Sequence, residues 1–175
     1  MQTVILTATL AGLALAVPGA AQTTQTAVAR VDTHKTPPRR VAGTIFVAVL
    51  SGGYAVPAVV TPATGTAQIT RVGSRLEYEV RVDSISDVTG AYLHTGKAGE
   101  ERPAVADLFR GMKSGPVSGT LAKGELGPAQ LHDITMPQLI GALEHNDVYV
   151  TVHSLNQEGG EIRGQLRVQP MMASR

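Results

Sequence analysis

The sequence predicts an all-β fold, an antiparallel β-sandwich with Greek-key connections and one short helix. From Thr44 onward, about eight short β-type runs are separated by glycine and proline, which is typical of such folds. Only one stretch has the periodicity of an amphipathic helix. The composition agrees with this fold class, because 43% of the residues are apolar, as in a globular domain.

The first predicted strands lie at the start of this region. The run TIFVAVLSG is the first strand, and GTAQITRVGSRLEYEVRVDSI predicts a hairpin whose two-residue turn is Gly73-Ser74. In the second strand of the hairpin, apolar and charged residues alternate from Leu76 to Asp83. This alternation indicates a strand with one buried face and one solvated face.

The remaining strands and the helix follow in the second half of the chain. Strands are predicted at GAYLHTG, AVADLF, GPVSGTLAKGEL, DVYVTVHS and EIRGQLRVQ. The helix is predicted in TMPQLIGALEHN, where Thr135 and Gln138 have the spacing of a capping box and Asn146 can end the helix. Three residues would share its buried face, namely Leu139, Ile140 and Leu143.

The composition also predicts the domain boundaries. Residues 1–21 contain the uncharged apolar run VILTATLAGLALAV followed by small residues, which is typical of a secretory signal peptide. Residues 22–43 are polar and rich in threonine, which predicts a flexible linker. Residues 44–169 would form the domain, and residues 170–175 a frayed tail. We therefore expect a secreted or periplasmic protein with no membrane span in the mature chain.

The residue content argues against several classes of function. Aromatic residues make up only 3% of the chain and the net charge is +1, so we expect no nucleic-acid partner. The absence of cysteine excludes thiolate metal ligands and a cysteine nucleophile. No serine lies in a Gly-x-Ser-x-Gly setting, and no phosphate-binding glycine loop precedes a helix. The sequence therefore predicts no catalytic residues and a protein that is not an enzyme.

Strand alternation predicts which face of each strand carries the histidine and tyrosine side chains. Tyr92 and His94 share one face of their strand, and Tyr149 and His153 share one face of theirs. If these strands are neighbours of the last long strand, six residues form one polar surface cluster: Tyr92, His94, Tyr149, His153, Glu161 and Arg163.

One interpretation of this cluster is a metal site. His94 and His153 would bind copper or, less readily, zinc, with Tyr92 or Glu161 as a third ligand. Two nitrogens fall short of the three or four protein ligands of zinc sites, and the positive charge of Arg163 would disfavour a cation.

The alternative interpretation is structural. The glycines at positions 159, 160 and 164 would permit a tight turn and a bulge, and Arg163 and Glu161 would pair across strands. The histidines would then form hydrogen bonds with loop carbonyl groups.

Four segments carry a family resemblance. They are FVAVLSGGYAVPAVVTPATGTAQI (46–69), LEYEVRV (76–82), GAYLHTGKAGE (90–100) and VYVTVHSLNQEGGEIRGQL (148–166). In the last segment a histidine is followed, after a short gap, by Gly160, Glu161, Ile162, Arg163 and Gly164. In these segments the chain resembles the CHRD domain family, a module named from chordin and also found in exported bacterial proteins.

The resemblance implies a β-sandwich of immunoglobulin-like or superoxide-dismutase-like topology. It also implies a binding or structural module at the cell envelope, whose partner would be a protein or another envelope component. Some members resemble copper binders that use histidines, so copper is the alternative ligand. The family's His-x-His pattern is incomplete here, because Tyr92 replaces its first histidine and His94 remains. Redox activity like that of superoxide dismutase is therefore a remote alternative.

Overall fold

A computed structural model describes residues 43–170 of the chain. The predicted signal peptide, the predicted linker up to residue 42 and residues 171–175 of the predicted tail lie outside the described residues. The described strands are β1 (Thr44–Ser51), β2 (Thr64–Val72), β3 (Arg75–Thr95), β4 (Ala104–Leu126), β5 (Val148–Ser154), β6 (Gln157–Gln165) and β7 (Arg167–Val168). The α-helix is α1 (Met136–Glu144), and short 3₁₀ turns lie at Gly52–Tyr54 and Pro128–Gln130.

The strands pair in one closed, antiparallel arrangement. The order β2-β1-β6-β5-β3 returns to its start because β3 also pairs with β2, so five strands form a barrel. β4 pairs with β3 outside this ring, and β7 pairs with β1. The all-β prediction with one short helix is confirmed. The predicted sandwich and its Greek-key connections are not confirmed, because the hydrogen bonding follows one continuous sheet.

The long strand β3 joins two runs that the sequence predicts as separate strands. Its first half pairs with β2 as far as Asp83, and its second half pairs with β5 from Val88 onward. The change of partner coincides with irregular pairing to β4 and with positive φ angles of 55° at Ser84 and 52° at Asp87. These bulges bend the strand, so that its last six residues, GAYLHT, pair with β5.

The predicted hairpin and helix are both present. Val72 pairs with Arg75 across the turn, where Gly73 adopts a φ of 64°. The backbone N–H of Thr135 donates to Gln138 Oε1 at 2.9 Å, which is half of the predicted capping box. Of the three residues predicted to share the buried face, Leu139 and Leu143 are fully buried and Ile140 is partly buried. No helix in residues 43–170 has the length and apolar character that a bilayer crossing requires.

β5 is buried on both faces, and this positions the candidate site. Val148, Val150 and Val152 point into the apolar core. The alternate residues Tyr149 and Thr151 are also buried, although they lie on the opposite face. A second, more polar layer must therefore cover this outer face of the barrel.

Candidate functional site

The loop between β3 and β4 (residues 96–103), here called the covering loop, lies over the outer face of β5. Arg163 Nη2 on β6 donates to the carbonyl oxygens of Lys97 at 3.1 Å and Glu100 at 2.7 Å. In return, the backbone N–H of Arg102 donates to Tyr149 Oη at 2.9 Å. These bonds attach the loop to β5 and β6, and the side chains of His94, Tyr149 and Thr151 beneath it are buried.

The predicted cluster is assembled under this loop. Strand pairing places Tyr92 opposite Thr151, and Thr151 opposite Arg163. His94 lies opposite Tyr149 and is stacked on its ring, with the ring centroids 4.7 Å apart. The prediction of a surface cluster is wrong in one respect: His94, Glu161 and Arg163 are buried, because the loops that cover the strands are not recognisable from strand alternation.

His94 is held at both ring nitrogens. Its Nδ1 lies 2.7 Å from the carbonyl oxygen of Arg102 in the covering loop. Its Nε2 lies 2.9 Å from the hydroxyl oxygen of Thr151 on the neighbouring strand. A carbonyl oxygen can only accept, so Nδ1 of His94 carries the hydrogen and donates it.

His153 is held in the same way. Its Nδ1 donates to the carbonyl oxygen of Glu158 at 2.6 Å, and its Nε2 lies 2.9 Å from the same Thr151 hydroxyl oxygen. The two imidazoles, here called the histidine pair, thus direct their Nε2 atoms at one oxygen atom.

A bulge in β6 brings the backbone of residues 158–161 against the His153 ring and positions the carbonyl group that His153 bonds to. The register shifts between Val152 and Ser154, so that residues 158–161 of β6 lie opposite the single residue His153. Gly160 adopts a φ of 113°, and a Cβ added there would lie 3.5 Å from His153 Nε2. The bulge predicted from the glycine-rich segment is therefore present, and it wraps the backbone around the imidazole.

The cluster has one hydrogen atom too few to form both hydrogen bonds between the Nε2 atoms and Thr151. Both Nδ1 atoms donate to carbonyl oxygens, so both Nε2 atoms of the neutral rings are acceptors. Thr151 has one hydroxyl hydrogen for two Nε2 contacts. One of the two Nε2 atoms therefore faces the Thr151 oxygen with no hydrogen atom between them. The lone pair of that Nε2 atom is free to bind a proton or a metal ion.

The surroundings keep both rings neutral. Burial lowers the pKa of His94, as do the neighbouring His153 and the charge of Arg163, against the opposing hydrogen bond to Arg102. Burial also lowers the pKa of His153, although its bond to Glu158 acts in the opposite direction. The lowered pKa values therefore reduce the competition between protons and a metal ion for the two Nε2 atoms at neutral pH.

The other predicted ligands are engaged elsewhere. Glu161 accepts a hydrogen bond of 2.6 Å from the hydroxyl of Thr61, in the loop after β1. The ring of Tyr92 meets the ring of His153 edge-on, with centroids 5.0 Å apart. Within residues 43–170, no group of three or more histidine, aspartate or glutamate side chains is arranged to hold a metal ion. The structure thus brings two of the four predicted metal ligands to a common point.

The predicted pairing of Arg163 with Glu161 is wrong. The guanidinium of Arg163 lies 3.5 Å from the centroid of the Tyr149 ring, and Nη2 is occupied by loop carbonyl groups. Glu161 and Arg163 lie on the same face of β6, but Glu161 bonds to Thr61 in the loop after β1 and Arg163 bonds to the covering loop. Gly164 has a separate structural role, because a Cβ at this position would collide with the carbonyl oxygen of Val49 on β1.

A small pocket of about 140 Å³ opens beside the histidine pair. Its lining includes both histidines, Thr151, Gly160 and Arg163. A family model for the CHRD domain matches residues 46–166, which is more than half of the chain and includes this entire site. The chain belongs to the CHRD domain family. No curated protein and no solved structure matches it.

Two elements of the site in this CHRD domain were not assigned by sequence reasoning. Thr151 shares a strand face with His153, which strand alternation already indicated, but its hydroxyl was given no role. The carbonyl oxygen of Arg102 lies in a loop with no periodic pattern, and only the folded chain shows that it contacts His94.

Proposed function

We propose that this CHRD domain is an exported, non-catalytic binding module of the cell envelope whose histidine pair binds one copper ion. The observation that supports this function is the convergence of His94 Nε2 and His153 Nε2, each 2.9 Å from Thr151 Oγ1. The secreted or periplasmic location and a protein or envelope partner stay predictions from the sequence.

The hydrogen bonds at Nδ1 suit metal binding. Histidine ligands in proteins usually donate their second ring N–H to a carbonyl or carboxylate group, which fixes the tautomer and the ring orientation. Both members of the pair meet this condition, through Arg102 and Glu158. The ligand atoms are therefore oriented before the metal arrives, and little conformational entropy is lost on binding.

The number and charge of the ligands favour copper(I). Zinc sites use three or four protein ligands, whereas copper(I) is stable with two imidazole nitrogens. Both imidazoles are neutral, and the nearby charge of Arg163 opposes a divalent ion more strongly than a monovalent one. Zinc and copper(II) are thus the weaker candidates. When bound, copper would supply a Lewis acid held by His94 and His153.

The test is a metal titration of the mature domain. We expect copper(I), added under reducing conditions with a chromophoric competitor, to bind in a one-to-one ratio and more tightly than zinc. His94→Ala and His153→Ala should each weaken copper(I) binding by at least about 100-fold, because only one of the two imidazole ligands remains. His145→Ala is the matched control, since His145 bonds to the carbonyl oxygen of Gly141 at the end of α1.

A further variant separates metal binding from folding. Thr151→Val keeps the shape of the side chain and removes the hydroxyl group that both Nε2 atoms contact. We expect its copper(I) affinity to equal or exceed that of the natural chain. Copper binding that survives in either alanine variant, or that Thr151→Val abolishes in a folded domain, contradicts the proposed site.

A further inference from the structure

Arg163 is a buried cation without a carboxylate partner. It is 4% exposed, and none of the salt bridges among the described residues includes it. Its contacts are two backbone carbonyl oxygens and the ring of Tyr149. Buried charges are normally paired with an opposite charge, because removing an ion from water is costly. Within residues 43–170, however, no carboxylate lies within salt-bridge distance of Arg163.

An apolar groove begins at Arg163 and runs along the outer face of β1. Its volume is about 510 Å³. Valines of β1 form the floor, and the walls are the segment after β1 and the covering loop. Val49 and Tyr54, which line it, are 64% and 61% exposed, unusually high values for large apolar side chains in a recess.

The charges in the groove have one sign. Arg163 and Arg167 are its charged lining residues, and its lining contains no aspartate or glutamate. Arg167, in β7, is exposed and lies opposite Val47 of β1. Like Arg163, it takes part in none of the salt bridges among the described residues.

We propose that this groove binds a small molecule that combines an apolar chain with one carboxylate group, for which Arg163 and Arg167 supply the counter-charge. The volume lies within the range of small-molecule pockets. A protein partner would need about 800 Å² of surface on each side, more than a recess of this kind offers. The groove shares Arg163 with the pocket beside the histidine pair, but neither histidine lines the groove, so this inference does not depend on copper.

The test compares three ligands that share one chain and differ in charge. Decanoate, decanol and decyltrimethylammonium are added below their micelle concentrations while the amide resonances of the mature domain are followed by NMR. We expect decanoate to shift resonances of the groove, including those of Val49, Gly53 and Gly99. We also expect decanoate to bind at least about fivefold more tightly than decanol, and the cationic ligand to bind least.

Pairs of variants, one inside the groove and one outside it, test whether decanoate binds in the groove. Arg167→Gln should weaken decanoate binding about fivefold and leave decanol binding unchanged, whereas Arg75→Gln should change neither. Arg75 is the control because its side chain is 62% exposed and lies outside the groove. Val49→Asp should abolish binding of both ligands, and Val60→Asp, at a fully exposed position outside the groove, should not.

Three results would overturn the inference. They are the absence of decanoate binding, equal binding of decanoate and decanol, and equal effects of Arg167→Gln and Arg75→Gln. Each can occur while the histidine pair still binds copper, and decanoate binding can persist in His94→Ala. The failure of this inference is thus distinguishable from the failure of the proposed function.

Discussion

The imidazole of His94 lies parallel to the phenol ring of Tyr149, with 1° between the planes and 4.7 Å between the centroids. From the other neighbouring strand, the guanidinium of Arg163 approaches the same ring to 3.5 Å. Tyr149 therefore joins β3, β5 and β6 through stacking and cation–π contacts. It makes the polar layer under the covering loop a second packed unit outside the apolar core.

Tyr149 offers a way to separate stacking from hydrogen bonding. Tyr149→Phe keeps the ring and removes the hydroxyl that accepts from the Arg102 N–H, so we expect a loss of about 1 kcal/mol in the free energy of unfolding. Tyr149→Leu also removes the stacking on His94 and Arg163, and we expect a loss of about 3 kcal/mol. Urea denaturation measures both values, and equal losses would contradict a contribution from stacking.

Thr151 is expected to stabilise the domain through its hydroxyl. Thr151→Val removes the single hydroxyl hydrogen that is donated to one Nε2 atom of the histidine pair, which should cost about 1 to 3 kcal/mol of unfolding free energy. Thr151→Ser keeps the hydroxyl and should cost about 1 kcal/mol through the lost methyl group. Urea denaturation above pH 7 compares the two variants, and a serine variant less stable than the valine variant would argue against the shared hydrogen bond.

The stability of the domain should fall as the solution becomes acidic. The pKa values of His94 and His153 are lowered in the fold, mainly by burial, whereas unfolded histidines titrate near 6.5. Below about pH 6.5 the unfolded chain therefore binds more protons than the native one, and the stability present at higher pH is lost. We expect a decrease of about 1 kcal/mol between about pH 7.5 and about pH 5.5, because solvent screening reduces the contribution of the partly exposed His153.

Denaturation curves across this pH range, recorded without metal, measure the decrease. The double variant His94→Gln, His153→Gln should show a flatter dependence, because the two shifted groups are absent. His145→Gln is the control and should retain the dependence of the natural chain. A slope that persists in the double variant would assign the acid sensitivity to other groups.

Two glycines of the family motif region should respond very differently to alanine. In Gly164→Ala the new Cβ collides with the backbone carbonyl of Val49, which cannot move without disturbing β1, so we expect a loss of about 3 kcal/mol. In Gly159→Ala the Cβ meets no atom within 4 Å, and we expect a change below about 0.5 kcal/mol. Thermal denaturation of the two variants checks this, and similar melting temperatures would contradict the close approach of β6 to β1.

Much of this protein follows from its sequence alone. Alternation and turn signals predicted the β class, the hairpin at Gly73-Ser74 and the helix with Thr135 and Gln138, because these features depend on contacts between residues close in the chain. Four segments, of which the one with the motif from Gly160 to Gly164 was the most specific, indicated the family, which the match over residues 46–166 establishes. The same alternation placed His94 and His153 on the faces that meet.

The tertiary structure alone decided how these residues are arranged in space. The closed barrel depends on the pairing of β3 with both β2 and β5, which follows from bulges and not from local propensity. The burial of His94, the engagement of Glu161 by Thr61 and the shared Thr151 hydroxyl all arise from loops folded over a strand face. Such contacts join residues that are distant in sequence and leave no periodic pattern, so only the folded chain determines them.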